Sequence, residues 1–454
     1  MVAFKFNLNQ RSVERISTKN RVIKTKIPSR NTLKVLKKLK NYEGVNALEQ
    51  LPVVWDKAIE SFIIDKDGNK WIDFTSSIFV SNSGHGDKNI IKNINKIISK
   101  PLLHSYYYPT EIKKKFLEKL IKITPKNLNK AILLSAGTEA TERAIKISKI
   151  FGQNNKIKKN LIIGWSGNYH GKTLNAQMIS GQPKDHNWIE NFDKNIIHLP
   201  FPFPWLMKKN LDGKILFKQH ILSLKKKYDV KRISAFFVES FQGWGAIFYP
   251  KSYIQELRKF CNQNNSLLVF DEIQAGFYRT GKLFGYQNYG VKADLVICGK
   301  GISGSLPLSA VLGESRFINL DSNYTSTHGG HPVCCAAALG NLETLSSQKI
   351  LKNINKCEVI FKTRFKKWKK MFKQVKYTLG KGMIHGVFIY KDNGIELDEY
   401  LTNIICEKAM EKGVFSICTG RGTLKLGPPV SIDPSVLIEG LDVYEDCMME
   451  VLNR

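Results

Sequence analysis

One lysine stands where an ordinary lysine has little reason to be. The apolar run Leu295–Cys298 ends at Gly299, and Lys300 follows between two glycines in ADLVICGKGISGSLPLSA. A solvated ammonium needs no such setting. An amine that must react gains from it, because burial at a strand end disfavours the charged form. Other apolar runs end on residues of comparable chemistry. Leu267–Phe270 leads into Asp271-Glu272, carboxylates that could hold a metal, act as a base or pair with a cation. Ile233–Val238 leads into Glu239, either a solvated loop carboxylate or a charge gate beside a site. Leu161–Gly164 is followed by SGNYHGKT, which places Tyr169 where an aromatic is either core or a stacking face. Lys130–Leu134 is followed by SAGTEATERAIKISK. There Gly137 and Thr138 open a helical pattern, and a helix N-terminus offers free N–H groups and a positive dipole end suited to phosphate, or simply an N-cap.

These runs must be strands of one sheet for the residues to meet. From about 110 to 345 they alternate with helical patterns at Thr138–Phe151, Ser252–Asn264 and Pro332–Leu345. Alternating strand and helix predicts an α/β fold whose mostly parallel sheet is covered by helices on both faces. In such sheets ligands gather beyond the carboxyl ends of the strands. Residues 59–74 alternate apolar and polar around Asp67-Gly68, a hairpin signal. After 346 the composition turns to Lys-rich helices with short strands at His385–Tyr390 and Thr423–Leu426. The expected organisation is an N-terminal arm and hairpin over 1–75, a large domain over 76–345, and a C-terminal region over 346–454. The first and last of these would build one smaller α+β domain.

Taken together, the strand-end residues match the needs of a planar aromatic phosphate that forms an imine with an amine. Lys300 supplies the amine, and Asp271 a carboxylate to keep a ring nitrogen protonated. Tyr169 supplies a clamping face, and Gly137-Thr138 an anion cradle. That is the constellation of pyridoxal phosphate. Two near-matches to a nucleotide-binding P-loop fail. GFYRTGKL has Leu283 in place of the magnesium-binding hydroxyl, and SGNYHGKT has Ser166 in place of the first glycine.

The bulk numbers bound the rest. The 454 residues are 24% charged and 43% apolar, ordinary for a globular protein. No run of about 18 apolar residues suggests a membrane span. The first thirty residues lack the apolar core of a secretory signal. Eight scattered cysteines without a C-x-x-C pair read as reduced thiols of a cytoplasmic enzyme, with no zinc site. The net charge of +31 is spread along the chain with no nucleic-acid motif, so neither nucleic acid nor membrane is expected as a partner. One local excess lies in residues 1–40, with twelve Lys or Arg against the single acid Glu14. It reads as a basic arm lying on a neighbouring subunit, or as an organelle transit segment.

From about Pro52 to Ile432 the chain resembles the class III (ω-amino acid) aminotransferases of the fold-type I pyridoxal phosphate enzymes. The resemblance rests on LLVFDEIQAGFYRTGKLFG, on the GK of ICGKGISGSLPLSAVLG 29 residues after Asp271, and on SAGTEATE, GNYHGKT, STHGGHPVCCAAALGNLETL, DGNKWIDF and NSGHG. It implies that Lys300 holds the cofactor as an imine and then shuttles the proton between the substrate Cα and the cofactor. It implies that Asp271 pairs with the pyridinium nitrogen, Gln274 reaches the ring's phenolic oxygen, and Ile273 and Tyr169 pack on its two faces. Gly137 and Thr138 match the phosphate loop. Thr327 matches a threonine that reaches the phosphate from a partner subunit. The resemblance thus implies a homodimer with a shared active site, a tetramer being the larger alternative.

On the substrate side, Glu239 matches a family glutamate that pairs with an arginine, but LKLGPP carries Lys425 there. Lys172 likewise replaces a second arginine. A lysine is a point charge where arginine is a carboxylate fork. Either the enzyme keeps 2-oxoglutarate with a weaker grip, or its acceptor is a smaller 2-oxo acid such as pyruvate. Trp55 reads as core or as a wall of the substrate pocket. His85, His104 and His170 read as structural or ring-edge residues rather than catalytic bases, since Lys300 already moves the proton. The implied activity is transfer of an amino group from a 4-aminobutyrate-like amine to a 2-oxo acid. Racemisation, epimerisation or amino migration on the same scaffold is the alternative. A basic, non-enzymatic nucleic-acid-binding protein is the remote one.

Overall fold

The computed structural model describes residues 5–44, 50–203 and 212–453. The chain forms two compact units. One holds residues 88–243 and 247–345; the other holds residues 1–87, 244–246 and 346–454.

The first unit is built on a seven-stranded sheet. Its strand order is Lys130–Leu134, Ser309–Gly313, Leu295–Cys298, Leu267–Asp271, Ile233–Glu239, Leu161–Trp165 and Ile196–Leu199. Only Ser309–Gly313 runs antiparallel to its neighbours. Ser309–Gly313 and Ile196–Leu199 were not anticipated from the sequence. The first is short and follows the Gly/Ser-rich stretch after Lys300, which hides its period. The second, IIHL, carries a histidine in an already short run. Burial is complete in the middle strands, where Leu295, Val296, Ile297, Val269 and Phe270 are fully enclosed. A sheet covered on both faces selects such continuous apolar runs. The helix Gly137–Gln153 packs Ala140, Ala144 and Ile147 against it. Pro332–Leu345 is apolar all round and packs on the helices Lys88–Ile98 and Glu111–Ile123. At their closest approach a Cβ on Gly340 would lie 2.4 Å from the Asn89 carbonyl oxygen.

In the second unit the two chain ends meet. The hairpin strands Phe62–Ile64 and Lys70–Asp73 pair as expected, Phe62 opposite Ile72. Asp65 closes the turn by accepting the Asp67 and Asn69 N–H groups, each at 2.9 Å. Val414–Phe415 then adds parallel to Lys70–Asp73. A separate four-stranded sheet contains Val375–Lys381, Ile384–Ile389, Thr423–Leu426 and Ile417–Cys418.

The basic arm makes contacts within its own chain: Ile16–Ser17 pairs with Val22–Ile23, and Arg11 bridges Ile27. Arg21 reaches Glu439 at 2.7 Å, and Arg11 reaches Glu407 and Glu411 at 2.8 and 3.1 Å. Those carboxylates lie on the helices Glu399–Glu411 and Pro434–Leu452.

A second feature has no sequence signal. Ser76, Ser77, Ile78 and Phe79 all adopt left-handed backbone, with φ from 48° to 71°. Non-glycine residues there cost about 1–2 kcal/mol each. The turn is held by the Ser76 hydroxyl donating to the Gly427 carbonyl at 2.7 Å. Phe79 fills the space above Gly427, where a Cβ would lie 2.1 Å from its ring.

Candidate active site

A cavity of ≈ 330 Å³ opens at the carboxyl ends of the parallel strands of the large sheet. Gly137, Thr138, Tyr169, Lys172, Glu239, Asp271, Ile273, Gln274 and Lys300 all line it. The spacing of these residues in sequence says little about their proximity; the register does. Asp271 sits opposite Glu239 on one side and Ile297 on the other. Lys300 follows two residues after the strand Leu295–Cys298. Its backbone is left-handed, φ 41°, a strained conformation for a side-chain-bearing residue that turns the chain sharply at the cavity.

Burial lowers the Lys300 amine below its ordinary value, while the Asp271 and Glu239 carboxylates oppose the shift. Desolvation dominates, so a larger share of the amine is neutral and nucleophilic. Asp271 is held on both oxygens. One accepts the Ile273 N–H at 3.0 Å, and the other meets His170 Nδ1 at 2.8 Å. His170 is the residue that sequence reasoning undervalued. Its ring is fully buried, its backbone N–H donates to Ser180 Oγ at 2.8 Å, and its backbone carbonyl accepts the Thr141 hydroxyl at 2.9 Å. The only signal in sequence was its place next to Tyr169 at a strand end.

Glu239 is buried, and desolvation pushes its carboxyl up to about 7, assisted by Asp271 and opposed by His170. It accepts the Tyr169 N–H at 2.7 Å and the Gly243 N–H at 3.2 Å, which fixes the loop carrying the Tyr169 ring. Glu272, next to Asp271, faces the other way. Its carboxylate accepts the Gly285 and Tyr286 N–H groups at 2.6 and 2.7 Å and the Ser240 hydroxyl, and burial raises it to about 7. The DE pair therefore divides into one carboxylate at the cavity and one structural staple.

The anion cradle is the start of Gly137–Gln153. Glu139 pins the preceding turn by accepting the Ser135 N–H and hydroxyl at 2.9 and 2.7 Å. The Thr138 hydroxyl lies 2.6 Å from that of Thr173. Two glycines make close contacts: a Cβ on Gly137 would lie 2.9 Å from the end of the Ile273 side chain, and one on Gly171, whose φ is +135°, would lie 2.4 Å from the Thr138 hydroxyl.

Not every expected residue is brought here. Thr327 is exposed in the turn after Tyr324 and does not line this cavity. Its loop is moored by the Tyr324 and Ser326 hydroxyls, which donate to Glu139 at 2.9 and 2.8 Å. Trp55 and Lys425 belong to the other unit. Trp55 packs edge-on against His85 and Phe415, with ring centroids 5.7 and 5.6 Å away. His85 itself meets the buried Asp73 at 2.7 Å. Lys425 is buried in Thr423–Leu426, its amine 4.5 Å from the centre of the Phe79 ring. Of the other histidines, His104 lies beside His328 at 3.3 Å, away from the cavity lining.

A desolvated lysine, a doubly held aspartate, an aromatic and a helix N-terminus around one cavity fit pyridoxal phosphate, and the fold is that of the fold-type I pyridoxal phosphate transaminases. The family model "Aminotransferase class-III" matches residues 44–448, so the chain belongs to the class III aminotransferases and is a pyridoxal phosphate-dependent enzyme. It is 28% identical over 438 residues to a 4-aminobutyrate aminotransferase of Mycobacterium leprae, covering 93% of this chain and 97% of that one. It is 29% identical over 410 residues to an acetylornithine aminotransferase of Clostridium acetobutylicum, covering 88% and 98%. An alanine/serine racemase of Pyrococcus horikoshii is 28% identical over 417 residues, covering 88% and 86%. Among solved structures, the taurine:2-oxoglutarate aminotransferase of Bifidobacterium kashiwanohense superposes with a TM-score of 0.85 at 21% identity, covering 93% of this chain and 98% of that one. Among the described residues no helix is long and apolar enough to cross a membrane.

Proposed function

We propose that this aminotransferase moves an amino group from a primary amine distal to a carboxylate, of the 4-aminobutyrate type, onto a 2-oxo acid. The observation that carries the reading is the single cavity on which Lys300, Asp271, Tyr169, Glu239 and Lys172 converge. Bound there, pyridoxal phosphate supplies an aldehyde for the incoming amine and an electron-accepting ring. The N-terminus of Gly137–Gln153 and the Thr138 hydroxyl hold its phosphate. Tyr169 and Ile273 enclose its ring, and Gln274 meets its phenolic oxygen. Asp271, fixed by His170 and the Ile273 N–H, keeps the ring nitrogen protonated. Lys300, whose amine desolvation shifts toward the neutral form, would take up and return the proton at the substrate Cα. Lys172 and Glu239 set the charge that meets the substrate carboxylate.

The working unit is a homodimer in which Thr327 of one subunit reaches the phosphate bound by the other. Thr327→Ala then loosens the cofactor although the residue lies outside its own subunit's cavity. Unchanged cofactor retention in a dialysed dimer would remove that role.

A half-reaction screen tests the activity. The holoenzyme is mixed singly with 4-aminobutyrate, ornithine, N-acetylornithine, β-alanine and diamines, and loss of the cofactor's visible band is followed. The reading fails if no distal amine discharges the band. Kinship to an alanine/serine racemase supports a second reading, inversion at Cα on the same lysine and aspartate. A coupled assay for the aldehyde left by the distal amine, with consumption of the 2-oxo acid, separates the two, since racemisation does neither.

A further inference from the structure

The second unit carries a groove of ≈ 540 Å³ between the helix Gln348–Met371 and the strand Val375–Lys381, within the size range of small-molecule sites. One wall is made by Lys362, Lys366, Lys369 and Lys370. Their spacing, i, i+4, i+7 and i+8, puts all four on one face of the helix. The helix holds nine Lys or Arg against one acid, Glu358. Glu358 is taken by Lys362 at 2.8 Å, and Lys367 and Arg364 are taken by Glu445 and Asp442. Among the described residues, no ion pair engages Lys366, Lys369 or Lys370.

The floor is different in kind. Phe365 is buried, and Leu379 and Thr378 come from the strand. His385 closes it, its ring centre 5.2 Å from that of Phe365. Burial lowers the His385 imidazole to about 4, so near neutral pH the floor is uncharged. Its Nε2 meets the Gly382 carbonyl oxygen at 2.9 Å, where the ring donates. Gly380 must be glycine, since a Cβ would lie 2.2 Å from the Ile384 carbonyl oxygen.

An exposed lysine face alone is usually a solvated surface, and Lys369 and Lys370 also complement the C-terminal dipole of their helix. Neither account explains a concave uncharged floor beneath unpaired amines. We propose that this groove binds a small organic polyphosphate of nucleotide size, its phosphoryl groups on the lysines and its flat base on Phe365 and Leu379. Lysines act on phosphate as point charges. The four span about 12 Å along the helix axis, so a single phosphate meets one or two amines and a chain of phosphates meets more.

The test uses the holoenzyme with ATP, inorganic tripolyphosphate, adenosine and a short single-stranded oligonucleotide as probes, by calorimetry. ATP binds best, tripolyphosphate more weakly, and adenosine not measurably. Raising salt from about 0.05 to about 0.2 M weakens ATP several-fold. The triple variant K366Q/K369Q/K370Q loses about tenfold or more in ATP affinity, while K349Q/K352Q/K356Q, the same charge removed elsewhere on the helix, keeps it. Equal loss in both variants would reduce the effect to net charge and overturn the site. Tighter binding of the oligonucleotide than of ATP would overturn it as well, by making the face a nucleic-acid surface. Should the triple variant fold poorly, amine labelling of the wild-type enzyme decides. ATP shields Lys366, Lys369 and Lys370 and leaves Lys349 and Lys352 reactive; uniform labelling defeats the proposal.

Discussion

Lysine does two jobs in this protein, and the surroundings of the amine separate them. At the ends of the parallel strands, Lys300 is held beside buried carboxylates and loses part of its charge to desolvation. On the helix Gln348–Met371, Lys366, Lys369 and Lys370 are exposed over an uncharged floor. The first setting favours a reactive amine, and the second leaves its amines exposed to solvent. A chain with a net charge of +31 can therefore hold one chemically distinct lysine among many without changing residue type.

The sharpest way to break this contrast is to remove the reactive amine. Lys300→Ala should lower turnover by on the order of 10³-fold or more, acid–base transfer alone being worth about 10²–10⁴-fold, and should alter the visible spectrum of the bound cofactor. K349Q/K352Q/K356Q, three charges lost from the solvated set, should leave kcat unchanged. Steady-state assays of both variants make the comparison, and a comparable loss in the second would erase it.

Asp271→Asn is next. Losing the charge that faces the cavity should cost about 10–10²-fold in kcat, the worth of a charge-assisted hydrogen bond. The change should fall on kcat more than on cofactor affinity, read by titrating the apoenzyme.

Glu272→Gln probes a carboxylate outside the cavity. The amide keeps one oxygen, so the donors on the other carboxylate oxygen lose their acceptor and face an NH2 group, which should destabilise the apoenzyme by about 1–3 kcal/mol in urea unfolding. The sign with pH is specific. The folded carboxyl lies at about 7, above its ordinary 4.5, so the native state binds more protons between these values. Stability due to this group is fully present below about 4.5 and is lost as pH rises towards 7. The variant should lack that part of the slope.

A smaller effect reads the desolvation directly. In the apoenzyme, amine labelling of Lys300 should reach its midpoint below the ordinary lysine value, because burial lowers it. A midpoint at the ordinary value would remove the desolvation argument. Smallest of all, Lys172→Arg should tighten a dicarboxylic 2-oxo acid by about tenfold or less, by turning a point charge into a fork. KM for 2-oxoglutarate against pyruvate reads it, and no change in their ratio would take Lys172 out of acceptor choice.

How much of this was legible follows from what each signal depends on. Strands such as Leu295–Cys298 are visible because two covered faces demand an unbroken apolar run, and their ends mark where chemistry collects. His170 was not, because its role depends on Asp271, 101 residues away, meeting it at 2.8 Å. The docking of the N-terminal arm was hidden for the same reason: Arg21 finds Glu439 only after the whole chain has folded. The left-handed turn at Ser76–Phe79 contradicts local preference outright, and a partner at Gly427, more than 300 residues on, holds it.

By itself, then, the sequence determined the alternation of elements, the residues at the strand ends and the class of cofactor chemistry, all of which depend on local pattern and residue type. Tertiary structure alone decided which carboxylate of Asp271-Glu272 faces the cavity, which histidine holds it and which lysines stay solvated. Those outcomes turn on burial and on contacts between residues far apart in the chain, and neither is a property of any short stretch of residues.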